Sequence, residues 1–521
     1  MTNRSSIIPS NREFHNRFKR IFFSNIWVLR KYFLLLVFLF PQLVHAQTKD
    51  GEVHLPAQFT APYIKVTQVE VSGNKRTKNR IIIRELDFLM GDTLATFYEK
   101  APFFRSGQKR ISTSDSSEVA LKLRYSRENI INTKLFLMVD LYLESITEKE
   151  YKLRIDVQER WYFWVFPIVK LDYPNFNDWL KDPDFDLVNT GIFTSHNNLW
   201  GLSHQGAITV SWGSSQSAGL GYYIPWIGKG KKIGLKMGVI YRNSAVVEYG
   251  SIDNERQILY DKDGIREVFA TANIIVRPGL YNYGNIKLYG GYYEMSDSLT
   301  SLTTNFFPDN RSNVITVNLF ADYYYDSRNN KAYPLEGNYL KVFIDKKGLG
   351  ILSHDLDYFF YGIDFHFYQK INNKFYVAEM FKLSKSSSEN IPYYFKQTLT
   401  SGKDFIRGYD YFAMRGDDMY YFRSNFKYEL IKPGIKKARK EKHKDSQFRN
   451  VPYAFYLNTF GDVGYLLDQY DDGINPHLNK ILYSWGVGID FISYYDLVLR
   501  FEYAFTSIGT HGFFVGFGMP I

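Results

Sequence analysis

Residues 314–326 read "VITVNLFADYYYD", and how this stretch is read decides the fold. Ile315, Val317, Leu319, Ala321, Tyr323 and Tyr325 fall on one face, while Thr316, Asn318, Asp322 and Asp326 fall on the other. That alternation is the period of a β-strand. "LVLRFEYAFT" repeats it, with Leu497, Leu499, Phe501, Tyr503 and Phe505 set against Arg500, Glu502 and Thr506. A buried sandwich strand seldom carries Arg and Glu on its second face, whereas a transmembrane barrel puts lipid outside and polar packing inside. Such segments follow one another from Trp161 to Ile521. They number about 16, an even count suited to a closed antiparallel barrel. The competing reading is a large soluble all-β array.

Composition favours the barrel. The 521 residues include 42 Tyr, 43 Phe and 8 Trp, the skew expected where strands face lipid and end in aromatic girdles. Although 45% of the chain is hydrophobic, its mean hydropathy is −0.29, which argues against a helical membrane bundle. With no cysteine, disulfides, thiol catalysis and thiolate metal sites are excluded. The net charge of +10 is spread along the chain, which gives no reason to expect nucleic-acid binding.

The N-terminus reads as an address. The apolar run "FLLLVFLF" (Phe33–Phe40) follows basic residues and falls well short of the ~20 residues of a spanning helix. "PQLVHAQ" comes next, with Val44 and Ala46 at the small-residue positions before a cleavage site, so residues 1–46 read as a secretory signal peptide and 47–62 as a linker.

Residues 63–160 form a separate unit. Val69 and Val71 alternate with Gln68 and Glu70 in a strand, "SGN" turns the chain, and Ile82, Leu86 and Leu89 follow at helical spacing up to Gly91. A second helix is expected near Ser117–Asn132, and "KLFLMVDLYLE" and "YKLRIDVQE" then form a hairpin. The order β-α-α-β-β defines a small α+β domain with its own core, leaving 161–521 to the barrel.

In "VEVSGNKRTKNRIIIREL", "NNLWGLSH" (Asn197–His204), "YDSRNNKAYPLEGNYLKV" (Tyr325–Val342), "IRGY" (Ile406–Tyr409) and "FGDVG" (Phe460–Gly464), the chain resembles the BamA/TamA-like outer-membrane assembly and two-partner-secretion translocator superfamily. The motifs occur in the family's order. The resemblance implies one periplasmic POTRA domain followed by a 16-stranded transmembrane barrel in the outer membrane of a Gram-negative-type bacterium. It also implies that the loop carrying Ile406, Arg407, Gly408 and Tyr409 folds back into the lumen, where the arginine meets acids of the wall. Alternation puts Asn458 and Asp462 inside one strand, and Arg423, Asn425, Lys427 and Glu429 inside another. Asp462 and Glu429 are therefore the expected partners of Arg407. A single POTRA-like unit and a terminal Ile521 in place of an aromatic depart from the family's pattern.

A seam is expected between the first and last strands, because Pro167 in one and Gly516, Gly518 and Pro520 in the other weaken pairing. No nucleophile elbow, phosphate loop or zinc signature occurs, so neither enzymatic activity nor a cofactor or metal is expected. The expected function is insertion of unfolded outer-membrane clients, bound through the POTRA domain and released at the seam. The alternative is translocation of a partner polypeptide through the lumen. Expected partners are outer-membrane lipid, unfolded client or secreted proteins and periplasmic or lipoprotein accessory subunits. The basic stretch Lys432–Asn450, expected as a periplasmic connection after the twelfth strand, could meet anionic headgroups or an acidic partner, or remain a solvated loop.

Overall fold

The computed structural model describes residues 52–56, 59, 61–96, 117–172, 179, 183–228, 232–279, 281–330, 333–351, 356–388, 390–401, 404–437, 450–471, 473–492 and 498–517. The signal-peptide segment, Gly518, Pro520 and residues 438–449 of the basic stretch lie outside this set.

In the N-terminal domain, β1 (Val53–His54) and β2 (Tyr63–Ser72) precede α1 (Asn79–Ile83), β3 (Thr93–Ala95), α2 (Glu118–Asn132), β4 (Phe136–Ser145) and β5 (Glu150–Glu159). The sheet order is β1-β4-β5-β2-β3, with β4 antiparallel to β5 and β2 parallel to it. Alternate residues Tyr151, Leu153, Ile155 and Val157 of β5 point into a core that Val119, Leu123 and Ile130 of α2 close from above. Each such buried aliphatic contributes ~1.5–3 kcal/mol. Ser117 caps α2 by accepting the Ala120 N–H at 3.1 Å.

The first helix is shorter than its apolar spacing suggests. α1 stops at Ile83, and tighter bonds take over, from Glu85 N–H to Ile82 O at 3.0 Å and Leu86 N–H to Ile83 O at 3.2 Å. Leu89 is 76% exposed. The sheet draws the chain away from the helical path, because the Gly91 N–H (φ 88°) is used by Val66 O of β2 at 3.0 Å.

The barrel sheet contains sixteen strands. They are β6 (Phe163–Leu171), β7 (Val188–Leu199), β8 (His204–Trp212), β9 (Gln216–Ile227), β10 (Ile233–Ile252), β11 (Glu255–Val276), β12 (Asn282–Met295), β13 (Asn313–Asp326), β14 (Gly337–Lys347), β15 (Tyr358–Lys370) and β16 (Phe375–Ser386). Four short bridges in the next loop, β17 (Gln397–Thr398), β18 (Thr400–Ser401), β19 (Asp404–Phe405) and β20 (Arg415–Gly416), stand outside that sheet. The barrel then resumes with β21 (Asp418–Lys437), β22 (Asn450–Leu467), β23 (Ile481–Ile492), β24 (Val498–Thr506) and β25 (His511–Phe517). The basic stretch is thus shorter as a connection than its composition suggested, since β21 runs on to Lys437 and β22 begins at Asn450.

Burial follows the pleat. In β24, Phe501 and Tyr503 face outward while Arg500, Glu502 and Ala504 are buried inside. In β13, Ile315, Leu319 and Tyr323 are exposed to the outside, and Thr316 and Asn318 are buried. An apolar outer face around a polar interior is the transmembrane-barrel arrangement.

The turn between β7 and β8 joins barrel to domain. Asn198 Nδ2 donates to Thr77 Oγ1 at 2.8 Å, and its Oδ1 accepts the Ser203 N–H at 2.8 Å. Lys78 N–H donates to Gly201 O at 3.0 Å, and the Tyr162 hydroxyl lies 3.0 Å from Thr77 Oγ1. Gly201 has φ 69°, and a β-carbon there would overlap Arg76 O. This defines a domain-side mouth and a far mouth.

Candidate functional site

The long connection from β16 to β21 enters the lumen from the far mouth. Two small ladders, β17 with β20 and β18 with β19, stiffen it and present Ile406–Tyr409 at the tip. Arg407 is 2% exposed. Its Nε donates to Asp462 Oδ2 at 2.7 Å, its Nη2 donates to Asp462 Oδ1, and its backbone N–H reaches Asp462 Oδ2 at 3.1 Å. Nη1 donates to Asn425 Oδ1 at 2.7 Å and to Glu502 Oε1 at 3.4 Å. The guanidinium lies 3.9 Å from the Phe460 ring centroid. A planar fork is thereby engaged at its edges and on its face, which a lysine cannot reproduce.

Glu429 is not among these partners. It is buried, but its carboxylate accepts from the Tyr376 hydroxyl at 3.4 Å. Asn425 is the β21 residue level with the guanidinium, and Glu429 lies four positions further along, ~13 Å at strand rise. The second carboxylate is Glu502 of β24, which also accepts from Arg500 Nη1 at 3.0 Å. Alternation had already put Glu502 on the polar face, but sequence gives no measure of how far a loop tip reaches across a barrel.

The motif on β22 is explained by what each inward residue meets. Phe460 stacks on the guanidinium, and its ring fits because Gly486 has no β-carbon, which would stand 2.5 Å from Cζ. Asp462 holds the cation. Gly464 leaves room for the Ile406 side chain, which joins Leu399, Tyr409, Met414 and Leu466 in an apolar cluster. Gly408 adopts φ 88° with Thr506 Cγ2 and Ala504 Cβ close by, so a side chain there would be both strained and obstructed. The Tyr409 hydroxyl donates to Tyr483 O at 3.0 Å and lies 2.8 Å from Ser507 Oγ.

The far mouth is capped. β10 and β11 outrun the ~9–11 residues a spanning strand needs, and their register breaks between Ser244↔Ile265 and Val246↔Tyr260. The hairpin tip at Asp253 and Asn254 reaches the loop after β22. Asp253 N–H donates to Ile474 O at 3.1 Å, Asn254 N–H to Asn475 Oδ1 at 2.9 Å, and Ala413 N–H of the lumenal loop to Asn254 O at 2.8 Å. Glu248 ties the layers together, accepting from Arg415 Nε at 2.8 Å, Tyr393 OH at 3.1 Å and Arg256 Nε at 3.2 Å. Phe306 and Phe307, from the loop after β12, pack against Tyr394. The "RGD" at Arg415–Asp417 belongs to this cap.

From the domain side, the turn after β13 sends Tyr333 inward. Its hydroxyl donates to Asp490 Oδ2 at 2.7 Å, and the Lys427 Nζ lies 4.2 Å from its ring centroid. The sequence reading had not connected this tyrosine to the lumen.

β6 and β25 stand at opposite ends of the strand order, at the place expected for the seam. Pro167 lies opposite Ile192 of β7. Gly516 is paired with Arg500 in the β24–β25 ladder, and a β-carbon on it would stand 2.5 Å from Arg500 Nη2, the end of a flexible side chain.

No family model matches the chain, and neither does any curated protein. Among solved structures, BamA from Haemophilus ducreyi lacking POTRA domains 1-3 is similar, with a TM-score of 0.56 at 14% identity over 87% of this chain and 83% of that one. CdiB from Escherichia coli aligns with a TM-score of 0.49 at 10% identity over 92% and 93% of the two chains, and CdiB from Acinetobacter baumannii with 0.49 at 12% over 88% and 74%. By fold, the chain is similar to BamA, with a sixteen-stranded antiparallel barrel sheet preceded, among the described residues, by a five-stranded α+β domain.

Proposed function

We propose that this protein is a non-enzymatic assembly factor of the outer membrane. Its POTRA-like domain, on the periplasmic side, binds unfolded β-barrel clients, and the β6–β25 seam passes them into the bilayer. The observation that carries this reading is the occupied lumen. Arg407 holds the loop across it, the β10–β11 hairpin covers the far mouth, and Tyr333 enters from the domain side. A route through the wall leaves all three in place, whereas passage of a polypeptide through the lumen requires each to withdraw. The test is reconstitution into liposomes with a urea-denatured outer-membrane barrel protein as client. Client folding faster than in protein-free liposomes supports insertion. No acceleration, together with depleted cells that lose one secreted product and keep their outer-membrane proteins, supports translocation.

A further inference from the structure

The outer surface of the barrel changes character step by step toward the N-terminal domain. Ile208 of β8 and Leu220 of β9 are cross-strand partners that face outward, 51% and 59% exposed. Nearer the domain, the same outward faces carry His204 on β8 and Tyr222 on β9. The His204 Nδ1 lies 2.7 Å from the Tyr222 hydroxyl. Trp200, in the turn between β7 and β8, meets both rings, with its centroid 6.4 Å from that of His204 and 6.0 Å from that of Tyr222. Its side chain is nevertheless 67% exposed, and its backbone holds φ 55°, a costly conformation for a bulky residue.

A basic segment of the domain adjoins these rings. Lys78 N–H donates to Gly201 O of the same turn, and the charges of Arg80 in α1 and Arg84 just after it reach the His204 ring. Lys75, Arg76, Lys78 and Arg80 are exposed. The neighbouring acids have partners already. Glu159 accepts the backbone N–H groups of Arg76 and Thr77 at 3.0 and 2.6 Å, and Glu85 accepts from Arg84 Nε at 3.0 Å. A surplus of positive charge is left on this side. Apolar, then aromatic, then basic is the order in which a protein surface meets hydrocarbon, interface and anionic headgroups.

We propose that this junction is a binding site for an anionic phospholipid. The Trp200, His204 and Tyr222 rings take the glycerol and upper acyl region, and Lys78 and Arg80 take the phosphate, to which a guanidinium offers a two-pronged fork. One lipid then touches both the barrel wall and the domain, so the bilayer itself helps to hold the domain at the membrane plane. The choice of a phospholipid rests on the periplasmic placement of the domain in the reading above.

The probe is phosphatidylglycerol, titrated onto the full-length protein in detergent with phosphatidylethanolamine as the comparison, and the bound lipid is counted by native mass spectrometry. The unaltered protein is expected to hold phosphatidylglycerol about tenfold more tightly, and to lose that preference as salt is raised. Lys78→Gln with Arg80→Gln should weaken phosphatidylglycerol binding about tenfold. Lys65→Gln with Lys149→Gln removes the same charge from exposed positions at the far end of β2, and should leave binding unchanged. Trp200→Ala should weaken both lipids, because the rings meet the part that the two share. Equal binding of the two lipids by the unaltered protein, equal losses in the two double variants, or a Trp200→Ala protein that binds both as before overturns the site. A phosphatidylglycerol preference without client insertion in liposomes leaves the lipid site standing and removes the assembly reading. Insertion without that preference does the reverse.

Discussion

Ile406 and Gly464 occupy one space, because a β-carbon on Gly464 would overlap the Ile406 δ-methyl. The glycine in β22 is therefore a socket for the loop tip. Gly464→Ala is expected to loosen the loop by ~1–3 kcal/mol, the usual cost of overpacking, and to increase proteolysis of the β16–β21 connection in folded barrels. Ile406→Val should relieve part of the defect. If the two changes add as independent losses, the socket is wrong.

Arg407 is the centre of a buried ionic group, and removing one member leaves the others uncompensated at a cost of ~3–5 kcal/mol. Arg407→Ala and Arg407→Lys should both lower client insertion, since lysine cannot span Asp462, Asn425 and Glu502 together. Asp462→Asn and Glu502→Gln should each impair insertion and show strong coupling to Arg407→Ala in a double-mutant cycle. Glu429→Gln, outside the group, should leave insertion rates unchanged. A Glu429→Gln defect as large as that of Glu502→Gln would contradict the assigned partners.

Much of this site was legible beforehand. Alternation alone put Asp462, Asn425 and Glu502 inside, because an inward carboxylate interrupts an otherwise apolar period of two. Choosing Glu429 over Glu502 failed because strand tilt and loop reach set which inward residues share a level, and neither is written in local sequence. The first helix failed for a similar reason, since hydrogen bonding of Gly91 to β2 overrode the apolar spacing through Leu89. Tyr333 lies in the connection after β13, and a connection gives no periodicity from which an inward side chain can be read.

The cap offers a mechanical test. Asp253 and Ile474 are joined by a main-chain bond of 3.1 Å, which makes this pair the place to try an engineered disulfide across the cap. Asp253→Cys with Ile474→Cys, oxidised, should leave client insertion within about twofold of the reduced form. That tolerance is small beside the ~1.4 kcal/mol of a tenfold effect. Loss of insertion on oxidation, restored by reduction, would mean that the mouth must open.

Asp417, just ahead of β21, is a buried acid whose carboxyl is pushed up to about 7, chiefly by burial, with Lys396 acting in the opposite sense and Asp468 adding to the rise. A carboxyl raised in the folded state contributes stability that is present at low pH and is lost as pH rises through the folded value. Proteolysis of the β16–β21 loop should therefore be slower at pH 5 than at pH 8, and Asp417→Asn should flatten that dependence. Faster cleavage at pH 5, or an unchanged profile in Asp417→Asn, would contradict it.

If clients leave through the wall between β6 and β25, as proposed, closing that seam stops insertion. The chain has no native cysteine, so pairs introduced between Phe163–Leu171 and His511–Phe517 can be screened for those that cross-link, and the seam can then be closed and reopened in one proteoliposome sample. The measurement is the rate of folding of a urea-denatured barrel client with the seam oxidised and then reduced. The account predicts that oxidation reduces the rate to that of protein-free liposomes and that reduction restores it. An unchanged rate with the seam fully cross-linked would contradict it.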